Sequence, residues 1–111
     1  MNPKKNMGEE FSIEIINALW EKAETINGRD ANVYRKDQCG ALIKRDLYYK
    51  DTIPLSMAWQ VNYIKPEEKG GKKKLQNLQA LQWENNLNKK DNEYFWACKV
   101  TSCVIQNCYV K

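Results

Sequence analysis

Two stretches of this chain restrict its fold more than any others. They are Trp59-Gln60-Val61-Asn62-Tyr63-Ile64-Lys65-Pro66 and Leu75-Gln76-Asn77-Leu78-Gln79-Ala80-Leu81-Gln82-Trp83-Glu84-Asn85-Asn86. They read as two strands, roughly 59–64 and 78–82. Pro66 ends the first, because proline has no backbone N–H to give to a ladder and fixes its own φ. Gly70-Gly71 and Lys72-Lys73-Lys74 make the loop between them. A helix over about 83–90 follows with almost no connection. Strand, loop, strand and helix therefore fall within residues 59–91, and the rest of the chain has to pack around them.

At 111 residues the chain has the length of one domain with a modest single core. A hydrophobic content of 42 %, with four Trp and six Tyr, suits a folded protein rather than a disordered one. Residues 1–8 read as a polar tail and 9–111 as the domain. Over 9–26 the apolar residues Phe11, Ile15, Leu19, Ala23 and Ile26 recur at three- and four-residue steps, with Ile16 and Trp20 widening the stripe. This predicts an amphipathic helix whose apolar face packs on the domain. Glu9 and Glu10 suit its positive N-terminal end, and Asn27-Gly28 supplies a stop. Residues 41–43 read as a short strand or turn and 49–57 as an irregular loop. Aromatic and β-branched residues dominate 92–111, so a strand or extended segment covering the core is expected there. The fold class is α+β.

No apolar run approaches the roughly 18 residues that would span a bilayer, so no membrane partner is expected. Met1-Asn2-Pro3-Lys4-Lys5-Asn6 lacks the apolar stretch of a signal peptide, which makes a cytoplasmic location the default. In that compartment Cys39, Cys98, Cys103 and Cys108 are expected as free, partly buried thiols. The spacing Cys98-x4-Cys103-x4-Cys108 is not a CxxC pair and the chain has no histidine, so no zinc site is expected. The net charge is +4, and residues 65–74 hold five lysines against two glutamates.

The 59–91 frame resembles the catalytic core of small bacterial HNH nucleases, also known as His-Me finger or ββα-metal proteins. Their first segment usually reads Trp-Glu-hydrophobic-Asp-His-Ile-x-Pro, followed by a Gly-Gly loop, an Asn-Leu-Gln strand and a helix opening Trp-x-Asn-Asn. This chain matches at Trp59, Ile64, Pro66, Gly70, Gly71, Leu75, Asn77, Leu78, Leu81, Trp83, Glu84, Asn85, Asn86, Lys89 and Asp91. Upstream, Tyr34-Arg35-Lys36-Asp37-Gln38-Cys39-Gly40-Ala41-Leu42-Ile43 is similar to the same subgroup, and the resemblance covers roughly residues 20–105. Tyr49 and Ala58 stand where the subgroup has glycine, which implies a reshaped 49–57 loop. Asn77 matches a structural asparagine that pins the long loop, and Trp59 and Trp83 are expected in the core.

The departures fall on the chemistry. Gln60, Asn62 and Tyr63 occupy the Glu, Asp and His positions, and Asn86 occupies the second ligand position. A one-metal nuclease needs anionic oxygen or imidazole to hold its cation and a base to activate water. Histidine titrates near working pH, whereas tyrosine sits near 10. The expectation is therefore a degenerate, non-catalytic fold with no cofactor, in which Asn62, Tyr63, Asn77 and Asn86 are relics and Tyr63 fills the vacated metal pocket, with stacking on a base as its alternative role. What remains is a surface for a nucleic-acid backbone, RNA or DNA. Its candidate phosphate contacts are Arg35, Lys36, Lys44, Arg45, Lys65, Lys69, Lys72, Lys73, Lys74, Lys89 and Lys90. Such a protein would bind nucleic acid or a nucleoprotein complex without cutting and act as an inhibitor or regulator. A phage anti-CRISPR acting on a guide RNA or its effector is one instance. The alternatives are an endonuclease with an atypical site and a protein-binding partner subunit of an intact nuclease.

Overall fold

The computed structural model describes residues 11–111. The polar tail, Glu9 and Glu10 lie outside the described residues. The first helix begins where a cap allows it: the Ser12 hydroxyl accepts the Ile15 amide at 3.2 Å, and α1 runs Ile13–Lys22 with Glu14 in its first turn. Its end comes earlier than the apolar spacing predicts. Ala23 turns extended, and Glu24 exchanges backbone hydrogen bonds of 3.0 and 2.8 Å with Lys36. Strand-type pairing across the fold thus takes over the segment through Ile26 that periodicity alone assigns to helix.

The remaining elements are β1 (Tyr34–Lys36), β2 (Leu42–Lys44), β3 (Trp59–Tyr63), β4 (Leu78–Gln82), α2 (Trp83–Lys89), β5 (Val100–Cys103) and β6 (Gln106–Tyr109). Each consecutive strand pair forms a two-stranded antiparallel sheet, so the described chain is an α+β fold of two helices and three small hairpins. The expected short strand near 42 is β2, and it pairs with β1, which the sequence does not announce. The C-terminal segment folds back on itself as β5–β6.

Alternation along β3 and β4 decides what each face meets. Trp59, Val61 and Tyr63 lie opposite Gln82, Ala80 and Leu78, while Gln60 and Asn62 lie opposite Leu81 and Gln79. The first face packs under α1. One cluster joins Phe11, Leu19, Val61 and Leu78; a second joins Trp20, Ile43, Trp59 and Ala80, with Ile16 and Tyr48 touching both. The Trp20 and Trp59 rings meet at 5.6 Å between centroids, and their indole N–H groups donate to the Ala31 and Arg45 carbonyls at 2.8 and 3.2 Å. Buried tryptophan is stable here because its one polar atom has a partner.

The hairpins are tied together by buried polar side chains. Asp37 Oδ1 accepts the Cys39 and Ala41 amides, both at 2.9 Å, and so shapes the β1–β2 turn. Its Oδ2 accepts the Gln82 amide at 2.9 Å and Asn85 Nδ2 at 3.0 Å, which joins that turn to β4 and α2. Burial pushes the Asp37 carboxyl above its ordinary value against the pull of these four donors. Asn85 Oδ1 in turn accepts the Lys99 and Val100 amides, each at 2.8 Å, and positions β5. Asn107 accepts the Leu42 amide at 2.7 Å and donates to the Leu42 and Ser56 carbonyls, docking β6 on β2 and on the 49–57 loop.

This network corrects the cysteine expectation. By carrying the chain before β5 against the Asp37 turn, it sets Cys39 and Cys98 with Cα atoms 5.6 Å apart, and they are bonded. Cys103 and Cys108 flank the β5–β6 turn at 5.8 Å and are bonded as well. None of the four is a free thiol. Spacing in sequence cannot show this, because the first pair is 59 residues apart.

Candidate functional site

The second face of β3–β4, beneath α2, gathers Gln60, Asn62 and Asn86, the positions the sequence resemblance singles out. Period-two alternation puts Gln60 and Asn62 on this face, Gln79 stands opposite Asn62, and α2 lowers Asn86 onto them. The four carboxamides form a directed chain. Gln79 Nε2 donates to Asn62 Oδ1 at 3.1 Å, Asn62 Nδ2 to Asn86 Oδ1 at 3.0 Å, and Asn86 Nδ2 to Gln60 Oε1 at 2.7 Å. Each amide supplies the donor its neighbour needs, so the cluster is stable without any counter-ion.

Chemically this is a neutral site. A hard divalent cation prefers anionic oxygens. Asn62, Asn86 and Gln60 offer only amide oxygens, each already accepting a hydrogen bond within the chain. Among the described residues no three His, Cys, Asp or Glu side chains gather at one point. Reading the motif alone misses Gln79. Its signal is register: the residue that faces Asn62 across a hairpin is fixed once the two strands are aligned.

Tyr63 does not fill this site. It stands on the α1 face, half-buried, with its ring centroid 6.5 Å from that of Phe11. The expectation of a plug overlooks alternation, which sends residues 62 and 63 to opposite faces. Trp59 is fully buried as expected, whereas Trp83 is half-buried and donates from its indole to the Ile53 carbonyl at 2.9 Å.

The loop from β3 to β4 is held closely. Asn77 Oδ1 accepts the Lys65 amide at 2.9 Å, and its Nδ2 donates to the Lys65 and Lys72 carbonyls at 3.0 and 2.9 Å. Lys22 Nζ reaches across from α1 to the Leu75 and Leu78 carbonyls at 2.7 and 2.6 Å, and partial burial lowers its pKa. Gly71 is required by close approach: a Cβ there would lie 1.7 Å from the Lys65 carbonyl oxygen.

The cations nominated from the sequence separate into two groups. Arg35 is buried and donates to the Ala31, Glu21 and Ala23 carbonyls and to the Glu21 carboxylate at 3.3 Å, so it braces the end of α1. Lys89 is 1 % exposed, and its Nζ donates to the Tyr63 and Ile64 carbonyls at 2.9 and 3.2 Å. Desolvation lowers its pKa, opposed by the charges of Asp91 and Glu93. These two are corrections: neither presents its charge to a polymer, because each caps backbone carbonyls inside the fold.

Lys36 is half-buried beside the Glu24 bridge, and Lys44 Nζ stands 6.0 Å from the Tyr34 ring centroid. Arg45 donates to Asn32 and Asn17, both at 3.3 Å. Lys73 is exposed, with its Nζ 4.8 Å from the Phe11 ring centroid, and Lys65, Lys69, Lys72, Lys74 and Lys90 are also exposed. A shallow depression of about 180 Å³ beside Asn62 has Glu67, Glu68, Lys90 and Asp91 on its wall. Comparison with known protein families, with curated proteins and with solved structures finds no match to this chain.

Proposed function

We propose that this protein is a catalytically inactive ββα, HNH-like domain that contacts a nucleic-acid backbone, alone or within a nucleoprotein complex, and inhibits or regulates it by occupancy. One observation carries the reading: the strand–loop–strand–helix unit keeps its loop pinned by Asn77, while its reactive face is closed by the Gln79–Asn62–Asn86–Gln60 amide chain. A fold maintained around neutral amides favours binding over hydrolysis. Lys65, Lys69, Lys72, Lys73 and Lys74 supply the sequence-independent, salt-sensitive affinity expected of phosphate contact.

The two disulfides bear on the setting. A reducing cytoplasm keeps thiols apart, so the disulfide-bonded form favours an oxidising setting over the cytoplasmic default. Among the described residues no helix is long and apolar enough to cross a membrane.

The test is a salt series of binding to labelled single-stranded RNA, structured RNA and duplex DNA with Mg²⁺ or Mn²⁺ present, so that cleavage is read in the same tubes. Salt-sensitive binding to intact polymer is expected. Metal-dependent cutting would overturn the reading, and binding of no polymer would redirect it to a protein partner.

A further inference from the structure

On the α1 side, away from the amide chain, lies a cleft of about 280 Å³ between α1 and residues 45–50. Its reachable aromatic surface is the half-buried Tyr48 ring, 4.9 Å from Trp59; Trp20 and Trp59, both fully buried, close the cleft from behind. Ile13, 61 % exposed, forms one lip. Polar groups ring the mouth. Arg45, with its guanidinium carbon 5.8 Å from the Trp20 ring centroid, is steadied by Asn17 and Asn32, and the exposed Asp46 and Lys50 stand nearby. Arg45 and Asp46 also line a second depression of about 170 Å³, so the two hollows meet at this pair.

The backbone that presents Lys50 is unusual. Tyr49 and Asp51, on either side of it, both sit at φ 55°, a region that side chains with a Cβ seldom adopt. Strain of this kind persists only where surrounding structure enforces it and often marks a functional site. Here the Tyr49 amide donates to the Trp59 carbonyl at 3.0 Å, so the strained turn is tied to the core strand beneath the cleft.

We infer that this cleft receives an unpaired nucleobase of a single-stranded nucleic acid, with the adjoining phosphate on Arg45 and Lys50. The inference rests on the nucleic-acid reading above and adds a second face to it. The volume falls just below the ~300–1,000 Å³ range of drug-sized ligand pockets, which suits one planar ring system. A partly exposed tyrosine ring, Tyr48, flanked by the apolar side chains of Ile13 and Ile16, suits the face of any base. Asp46, an acceptor at the mouth, matches the exocyclic amine of cytosine or adenine. Two cations against one carboxylate leave the mouth net positive, complementary to a phosphodiester. A duplex keeps its bases stacked and offers no such group.

The test uses the full chain, ¹⁵N-labelled, titrated with a short mixed-sequence single strand as RNA, the same strand as DNA, and its blunt DNA duplex. The Trp20 and Trp59 indole N–H resonances are expected to shift with either single strand and to stay in place with the duplex; the RNA and DNA arms show which sugar is preferred. Ile13→Glu and Lys50→Glu, both at exposed positions, are each expected to weaken single-strand binding on the order of tenfold and to leave duplex affinity within about twofold. Lys72/Lys73/Lys74→Ala weakens both polymers and leaves the indole shifts at saturation unchanged. Binding with stationary indoles, or with both acidic variants equal to the parent, would overturn the cleft while leaving the lysine-loop reading intact. Binding of no polymer would overturn both.

Discussion

Asp37→Asn isolates the buried hinge on which the three hairpins depend. The change keeps shape and removes charge. The carboxamide oxygen of the variant can still accept the Cys39 and Ala41 amides, but its NH₂ stands where Oδ2 accepted the Gln82 amide and Asn85 Nδ2. Two buried donors then face a donor. Each unsatisfied buried group costs about 1–3 kcal/mol, and relief of a charge held at 3 % exposure returns part of that. A net loss of about 2–4 kcal/mol is expected, a large share of the ~5–15 kcal/mol typical of a domain. Urea unfolding followed by tryptophan fluorescence at neutral pH measures it.

The pH dependence supplies an internal check. Burial holds the Asp37 pKa above its ordinary value, so the folded state takes up its proton more readily than the unfolded chain. The stabilisation linked to that proton is complete below the ordinary carboxylate value and is lost as pH rises through the folded one. The gap between parent and Asp37→Asn should therefore widen as pH falls from neutrality through that window. A variant as stable as the parent, or a gap that narrows on acidification, would refute the assignment of Asp37 as a desolvated four-donor hub.

Lys89→Met keeps the buried stem and removes the donor to the Tyr63 and Ile64 carbonyls; a lower urea midpoint is expected with no change in the salt dependence of polymer binding. Lys72/Lys73/Lys74→Ala should do the reverse, lowering the slope of log affinity against log salt by about 2 for a single strand with stability nearly constant. The disulfides should differ in weight. On loop-closure entropy alone, opening Cys39–Cys98 costs about 4 kcal/mol and Cys103–Cys108 about 2, which paired Cys→Ser variants test by thermal unfolding. Asn62→Asp removes the donor to Asn86 Oδ1 and buries a carboxylate, so a loss of about 1–3 kcal/mol is expected in the same unfolding assay; an unchanged midpoint would show that the amide chain contributes nothing.

Legibility in the sequence follows the range of the interactions involved. The β3–loop–β4–α2 frame is readable because its signals are local: Pro66 closing a strand, Gly71 at a close approach, and a helix starting at Trp83. The end of α1 is not, because Glu24 pairs with Lys36, twelve residues on, and no local pattern announces that bridge. The cysteines mislead for the same reason, compounded when a redox state is inferred from a presumed compartment. Composition treats every cation alike and so counts Arg35 and Lys89 as surface charge. Only the fold shows that their donors satisfy backbone carbonyls left open at the end of α1 and beyond β3. Alternation holds the key to Tyr63, and register the key to Gln79, but both need the strand alignment before they can be used.

Removing those two cations from the proposed contact surface strengthens the case for the loop that remains. A flexible lysine loop binds polyanions weakly because ordering it on contact costs entropy. This loop is ordered beforehand. Asn77 bonds it at Lys65 and Lys72, the Gly71 amide donates to the Pro66 carbonyl at 2.9 Å, and Lys22 holds the carbonyls of Leu75 and Leu78. The backbone carrying Lys69, Lys72, Lys73 and Lys74 is thus fixed relative to the β3–β4 hairpin, and only lysine side chains are left to order on contact. If phosphate contact is the role of this loop, breaking its brace should weaken binding as much as removing charge does. Asn77→Ala leaves all five lysines in place and should still bring polymer affinity down toward that of the triple-alanine variant. Equal affinity in Asn77→Ala and the parent would mean that charge density alone governs the interaction.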